Sequence, residues 1–329
     1  MARQHHNNLL VLPWDEPGKW VFQNADTYSN TAVCSVPELH AKRSIPNVLR
    51  CTVKIARRIK PNDCLITWEA SAAIATSFAM RVTGAKNPWV ALGILPKSTN
   101  RRVNGLLSSS LKRASIVTCF SRADIPTLQM NTGAHAHDVS PTVWQQTDRP
   151  LTKKSKDWVS VGDSNRDDMT LARAAEDSGI IVDRFTRKVS VLSPAITCHL
   201  NATADETDNA FQTYQHHLAI LKSTAVASGF SIAIRAGFAR QLLIASDTPH
   251  MRELITDGEN GLLVNVGDSD HLANVIRAVK RGDVDIDRLS GALHDVCRED
   301  GACFIVSEFV EGGNLRDQVA SKINPSRAM

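Results

Sequence analysis

Short apolar runs alternate along this chain with longer segments whose apolar residues recur at helical spacing. Residues 9–12 read as a first strand, stopped by Pro13, and Thr31–Ser35 as a second. Residues 47–59 place Val48, Leu49, Val53 and Ile55 at helical spacing, with Lys54, Arg57 and Arg58 on a basic side. The pattern then predicts a strand over Cys64–Trp68, an alanine-rich helix over 70–82, a strand over 89–94, a helix over 101–113 and a strand over 115–121.

A polar stretch with Pro150 and three lysines, residues 147–156, reads as a linker. A second alternating series follows. It predicts a strand at 158–161, a helix at Asp168–Ser178, short strands at 180–182 and 188–192, and a helix at 211–221. Next come a helix at 232–239, a strand at Leu242–Ser246, a short helix at 250–256, a strand at 261–264 and a helix at 271–281. Residues 308–323 read as a last helix. Such alternation predicts an α/β fold of two doubly wound, Rossmann-like domains facing across a cleft. The expected divisions are 1–150, 151–305 and a tail over 306–329. Ligands of such sheets gather at the carboxyl ends of the strands.

Composition adds little to fold class and more to partners. A length of 329 residues suits two domains, and the low aromatic content of 5% leaves Ala, Val, Leu and Ile to build the cores. No apolar run is long enough to cross a bilayer, and the polar N-terminus lacks a signal-peptide core, so a cytoplasmic location is expected. The seven cysteines form no CxxC pair and are expected to be free thiols. Residues 1–150 carry 18 basic and 9 acidic side chains, a balance of +9, whereas the remainder carries 20 and 25, a balance of −5. A basic first half fits an anionic partner, whether a membrane surface (the inner face), a phosphate-bearing acceptor or nucleic acid, or else it is a set of solvated helix faces. The cations lack interleaved aromatics, which argues against nucleic acid.

Three stretches of the second half carry candidate chemistry. In Gly162-Asp163-Ser164-Asn165-Arg166 a strand ends in a glycine turn and a polar loop enters a helix, with Arg166 near the helix start. A guanidinium there suits bidentate contact with phosphate oxygens, unless it pairs with Asp167 or Asp168. In Ser228-Gly229-Phe230-Ser231-Ile232 a small turn opens an apolar helix, whose free amides would attract a diphosphate. In the stretch 242–264 a buried strand meets Asp247-Thr248-Pro249, a short helix bearing Glu253, and a turn bounded by Gly258 and Gly261. The histidine pairs His5-His6, His216-His217 and His135-x-His137 have no third ligand in sequence, so no metal is expected.

The third stretch resembles the C-terminal signature of the group 1 glycosyltransferases, family 4 of the retaining enzymes, which have the GT-B fold. Ala245-Ser246, Glu253-Leu254-Ile255 and Asp257-Gly258-x-Asn260-Gly261-Leu262-Leu263-Val264 match it in order and spacing. The resemblance covers about residues 158–282. It implies a nucleotide-diphosphate sugar held by the second domain, with Arg166 and the backbone of Gly229, Phe230, Ser231 and Ile232 on the diphosphate. Gly162, Asn165, Ser228, Asp247, Thr248 and Glu253 are further donor-side candidates. It also implies retention, no metal and no cofactor besides the donor itself.

The sequence departs from that family in several places. Its paired glutamates fall on Ser228 and Ala236, an arginine of the first loop on Asp163, and a histidine of the fourth strand near Gly93. Catalytic residues are therefore left unassigned. Two functions follow: transfer of a hexose-type sugar to a glycan, polysaccharide or lipid-linked acceptor, or a catalytically decayed relative that binds sugar nucleotides as a scaffold.

Overall fold

The computed structural model describes residues 8–12, 31–41, 45–95, 101–119, 121–132, 136–138, 154–187, 191–222 and 228–299. Those up to 138 form one compact unit and those from 154 onward another.

The first unit holds β1 (Asn8–Leu12), β2 (Thr31–Ser35), α1 (Glu38–Ala41), α2 (Ile45–Ala56), β3 (Cys64–Trp68), α3 (Glu69–Thr83) and β4 (Trp89–Leu92). It continues with α4 (Arg101–Leu111), β5 (Ile116–Cys119), α5 (Ile125–Thr132) and β6 (Ala136–Asp138). The strands form one parallel sheet in the order β2-β1-β3-β4-β5-β6. Strands buried on both faces read as continuous apolar runs, and β5 is buried at every position. Small side chains let the helices close on the sheet: Ala72, Ala75 and Ala79 of α3 are fully buried beside Leu9, Leu65 and Trp89.

The second unit holds β7 (Lys156–Val161), α6 (Asp168–Ser178), β8 (Val182–Thr186), β9 (Ile196–Leu200), α7 (Ala204–Thr213) and β10 (Tyr214–Ala219). After these come α8 (Phe230–Phe238), β11 (Leu242–Ser246), β12 (Leu262–Val264), α9 (Ser269–Arg281) and α10 (Ile286–Glu299). The parallel sheet runs β12-β11-β10-β7-β8-β9. Its first strand, β7, therefore lies inside, with β8 and β9 on one side and β10 to β12 on the other. The topological switch point falls between β7 and β10, where successive loops turn away from each other and leave a crevice.

The α/β class and most elements agree with the sequence reading, and three differences have physical causes. The helix expected over 211–221 is in fact the end of α7 followed by β10. Phe211, Tyr214, Leu218 and Leu221 mimic a helical stripe, yet the run from His216 to Leu221 is buried on both faces because β10 sits mid-sheet. The true helix announces itself earlier: Thr203 accepts from the Glu206 amide at 3.2 Å and Glu206 accepts from the Thr203 amide at 2.7 Å, a capping box. The short strand expected at 180–182 is shifted to β8, the one expected at 188–192 lies mostly outside the described residues, and β9, unforeseen, is an edge strand with a half-exposed face that blurs its alternation. Residues 250–256 form only a single 3-10 turn, Met251–Glu253.

The α10 helix had no counterpart in the reading, although Leu289, Leu293 and Cys297 recur every four residues and are buried. The helix expected over 308–323 lies outside the described residues, as does most of the linker expected over 147–156. Among the described residues no helix is long and apolar enough to cross a membrane. Six described cysteines are free, five of them buried.

Candidate functional site

The carboxyl ends of β7, β10 and β11 bring the three sequence stretches of the second unit to one edge. The chain leaves β7 through Gly162, whose φ of +100° is a left-handed conformation. It then folds back antiparallel onto the end of β10: the Asp167 amide donates to the Ile220 carbonyl at 2.9 Å, and the Lys222 amide donates to the Asn165 carbonyl at 3.0 Å. Asn165 takes up a φ of +56°, which its short polar side chain tolerates. Its Nδ2 donates to Ser228 Oγ at 3.1 Å. The loop after β7 is thereby tied to the turn that opens α8, across the switch point.

Arg166 is buried beneath this loop, 6% exposed. Its Nε donates to the Val161 carbonyl at 3.1 Å and its Nη1 to the Ser164 carbonyl at 2.9 Å. Nη2 lies against Gly162, where a Cβ would come within 2.9 Å of it. Burial, assisted by the charge of Arg184, lowers its pKa to about 10. Arg166 pairs with neither Asp167 nor Asp168. Asp167 caps α6 by accepting from the Thr170 amide at 3.2 Å, and Asp168 accepts from Arg184 Nε at 2.8 Å.

Asp163 turns the other way. It accepts from Thr186 Oγ1 at 2.6 Å and from the amide and Nε of Arg187, each at 2.9 Å. Burial acts to raise its pKa, but these donors outweigh it and hold the carboxyl at about 2. Its charge is thus met by donors at the end of β8.

Gly229, with φ +91°, is the N-cap of α8. A Cβ there would meet the Met251 methyl at 2.2 Å, so only glycine lets the buried Met251 pack against this turn. Among the described residues the amides of Gly229, Phe230 and Ser231 have no acceptor. The Ile232 amide is engaged, donating to the Gly229 carbonyl at 3.0 Å. A helix start with open amides and a positive dipole end is an anion seat.

The end of β11 joins the same edge through Ser246, whose Oγ accepts from the Leu221 amide at 2.9 Å. Thr248 is buried and accepts from the Met251 amide at 3.1 Å. Asp247 is clasped by the fork of Arg252 at 2.5 and 2.6 Å, and that partner lowers its pKa. Glu253 closes the 3-10 turn, half-buried. In the turn that follows, Asn260 donates to the Leu254 carbonyl at 2.9 Å and accepts from the Thr256 amide at 2.8 Å, so this part of the signature is internal scaffolding. Ala236, on the position of a family glutamate, is fully buried on α8 and faces the core. Sequence reasoning passed over Lys222. It is exposed at the end of β10, beside Asn165, and makes no ion pair among the described residues. The signal available was its place just after an unbroken apolar run.

This architecture, two parallel sheets in two units with amides gathered at a switch point, is that of the GT-B proteins, and the solved structures bear out the fold. Anabaena HepE in complex with UDP-glucose is 12% identical, with a TM-score of 0.66, over 94% of this chain and 100% of its own. A UDP-forming trehalose-phosphate synthase of Burkholderia xenovorans with glucose-6-phosphate is 11% identical, at 0.66, over 93% and 99%. TarM of S. aureus is 12% identical, at 0.64, and this chain covers 80% of itself but only 58% of TarM. No family model and no curated protein matches the sequence.

Proposed function

We propose that this chain is a glycosyltransferase whose C-terminal unit binds a nucleotide-diphosphate sugar at the β7/β10 edge. The observation that carries the reading is the pair of loops joined by Asn165 and Ser228 at the switch point, with the open amides of Gly229, Phe230 and Ser231 beside them. Similarity of fold to HepE and the trehalose-phosphate synthase supports it, since the structures of both hold or form uridine nucleotides.

In the transfer the bond between the anomeric carbon and the diphosphate oxygen breaks, and a bond to an acceptor oxygen forms. Negative charge grows on the leaving nucleoside diphosphate, and the acceptor hydroxyl gives up its proton to the departing diphosphate oxygen. We assign the stabilisation of that charge to the amides at the start of α8 and the Lys222 ammonium. Loss of one such donor typically costs about 10²–10³ in rate. Arg166 contributes its field from below and fixes the loop by its two carbonyl contacts. We assign the N-terminal unit to a glycan or lipid-linked acceptor; its excess of cations fits an acceptor presented at an anionic membrane face. Retention and independence of metal are part of the proposal.

A second reading, a sugar-nucleotide-binding scaffold without turnover, is favoured by one observation: Ser228 and Ala236 stand where the resembled family has carboxylates, and Ala236 is sealed in the core. The two separate on incubation with UDP-, GDP- and ADP-sugars. Nucleotide release that depends on an acceptor supports the transferase. Saturable binding without release supports the scaffold, and no binding to any of them removes both.

A further inference from the structure

The α2 helix has two faces of different character. Its inner face, Val48, Cys51, Thr52 and Ile55, packs on α3, and Thr52 Oγ1 donates to the Val48 carbonyl at 2.8 Å. The outer face carries Leu49 and Val53, one turn apart and 58% and 50% exposed, beside the exposed cations Arg50 and Lys54, with the exposed Arg57 one residue past the helix end. None of the three cations forms an ion pair among the described residues. Between Glu38 and Asp63 the sequence has seven Lys and Arg residues and no acid. An aliphatic ridge rimmed by unpaired cations on a short helix is the make-up of an element that lies flat in a lipid headgroup region.

We propose that the outer face of α2 docks on an anionic bilayer, with Leu49 and Val53 entering the headgroup boundary and Arg50, Lys54 and Arg57 meeting lipid phosphates. Charge complementarity selects the anionic surface. The exposed aliphatic pair distinguishes a bilayer from a nucleic acid, which would call for aromatic or polar base contacts. This gives residues to the membrane contact suggested above, and it holds whether or not the chain transfers sugar.

The test uses the full chain and sedimentation with two kinds of vesicle, phosphatidylcholine alone and an equal mixture with phosphatidylglycerol. The protein is expected to pellet with the mixed vesicles only. Each cation near an anionic surface contributes about a fivefold gain in partitioning, so Arg50→Gln/Lys54→Gln/Arg57→Gln should lose about a hundredfold. Leu49→Ser/Val53→Ser, which keeps every charge, should also weaken binding, and both variants should keep the far-ultraviolet spectrum and unfolding midpoint of the parent. Equal pelleting with both vesicle types overturns the proposal, as does parental binding by either variant. Nucleotide release is measured on the same variants without vesicles and with a soluble acceptor, so failure of the docking and failure of the transferase reading are told apart.

Discussion

Asn165 Nδ2 donates to Ser228 Oγ at 3.1 Å, and this bond joins the loop that leaves β7 to the turn that starts α8. Each loop comes from a different side of the switch point, so the bond sets the spacing between the buried Arg166 and the open amides of α8. Ser228→Ala should remove the acceptor and lower unfolding stability by about 0.5–1.5 kcal/mol. If the bond positions the site, sugar-nucleotide affinity should fall several-fold as well. Urea denaturation and calorimetric titration with a UDP-sugar measure the two effects; lost stability with unchanged affinity would make the bond structural alone.

Gly162 is the tightest point of the same loop. A side chain there must adopt φ near +100° and also displace Arg166 Nη2, 2.9 Å from the Cβ position. Gly162→Ala should cost roughly 1–3 kcal/mol from the backbone conformation alone. It should also shift the guanidinium and weaken diphosphate binding. A thermal midpoint equal to that of the parent would show that the loop relaxes without strain.

Lys222 is an exposed cation at this edge, its backbone held by the hydrogen bond that its amide donates to the Asn165 carbonyl. Lys222→Ala should leave the unfolding midpoint unchanged, because the side chain has no partner among the described residues. Its effect belongs to the ligand: affinity for a nucleoside diphosphate should drop about tenfold, with a shallower dependence on salt. Titrations at low and moderate ionic strength check this, and an unaltered salt dependence would remove Lys222 from the site.

Much of the second unit was legible because its signals are local. Gly162, Gly229, Gly258 and the strand Leu242–Ser246 mark turns and buried runs whose meaning does not depend on distant partners. The first loop was legible as a site element but not in its wiring. Nothing in Asp163-Ser164-Asn165-Arg166 tells that Asp163 closes on Thr186 and Arg187, 23 and 24 positions away, while Asn165 reaches Ser228, 63 positions away. Nor could the pattern show that Arg166 is buried, since its partners are carbonyls and carry no sequence signature. The 211–221 segment failed for a related reason. Two histidines in mid-sheet look like the polar face of a helix until the neighbouring strands are known.

One of those histidines makes stability depend on pH. His217 is fully buried on β10, stacked 5.0 Å from Phe211, with Nδ1 donating to Gln241 Oε1 at 3.2 Å and no partner for Nε2 among the described residues. Burial pushes its pKa down to about 3, from an ordinary value of 6.5. Above that ordinary value both folded and unfolded chains hold the ring neutral, and the group does not affect stability. As pH falls below it, the unfolded chain binds a proton that the folded chain refuses, and stability declines by up to about 1.4 kcal/mol per pH unit until the folded value is reached. His216, whose pKa is also lowered by burial, adds in the same direction. Urea midpoints at pH 7 and pH 5 should therefore differ, with the lower value at pH 5. His217→Asn keeps a donor for Gln241 and does not titrate; it should lower stability at both pH values through lost packing while flattening the difference between them. An unchanged difference would place the acid sensitivity in other groups.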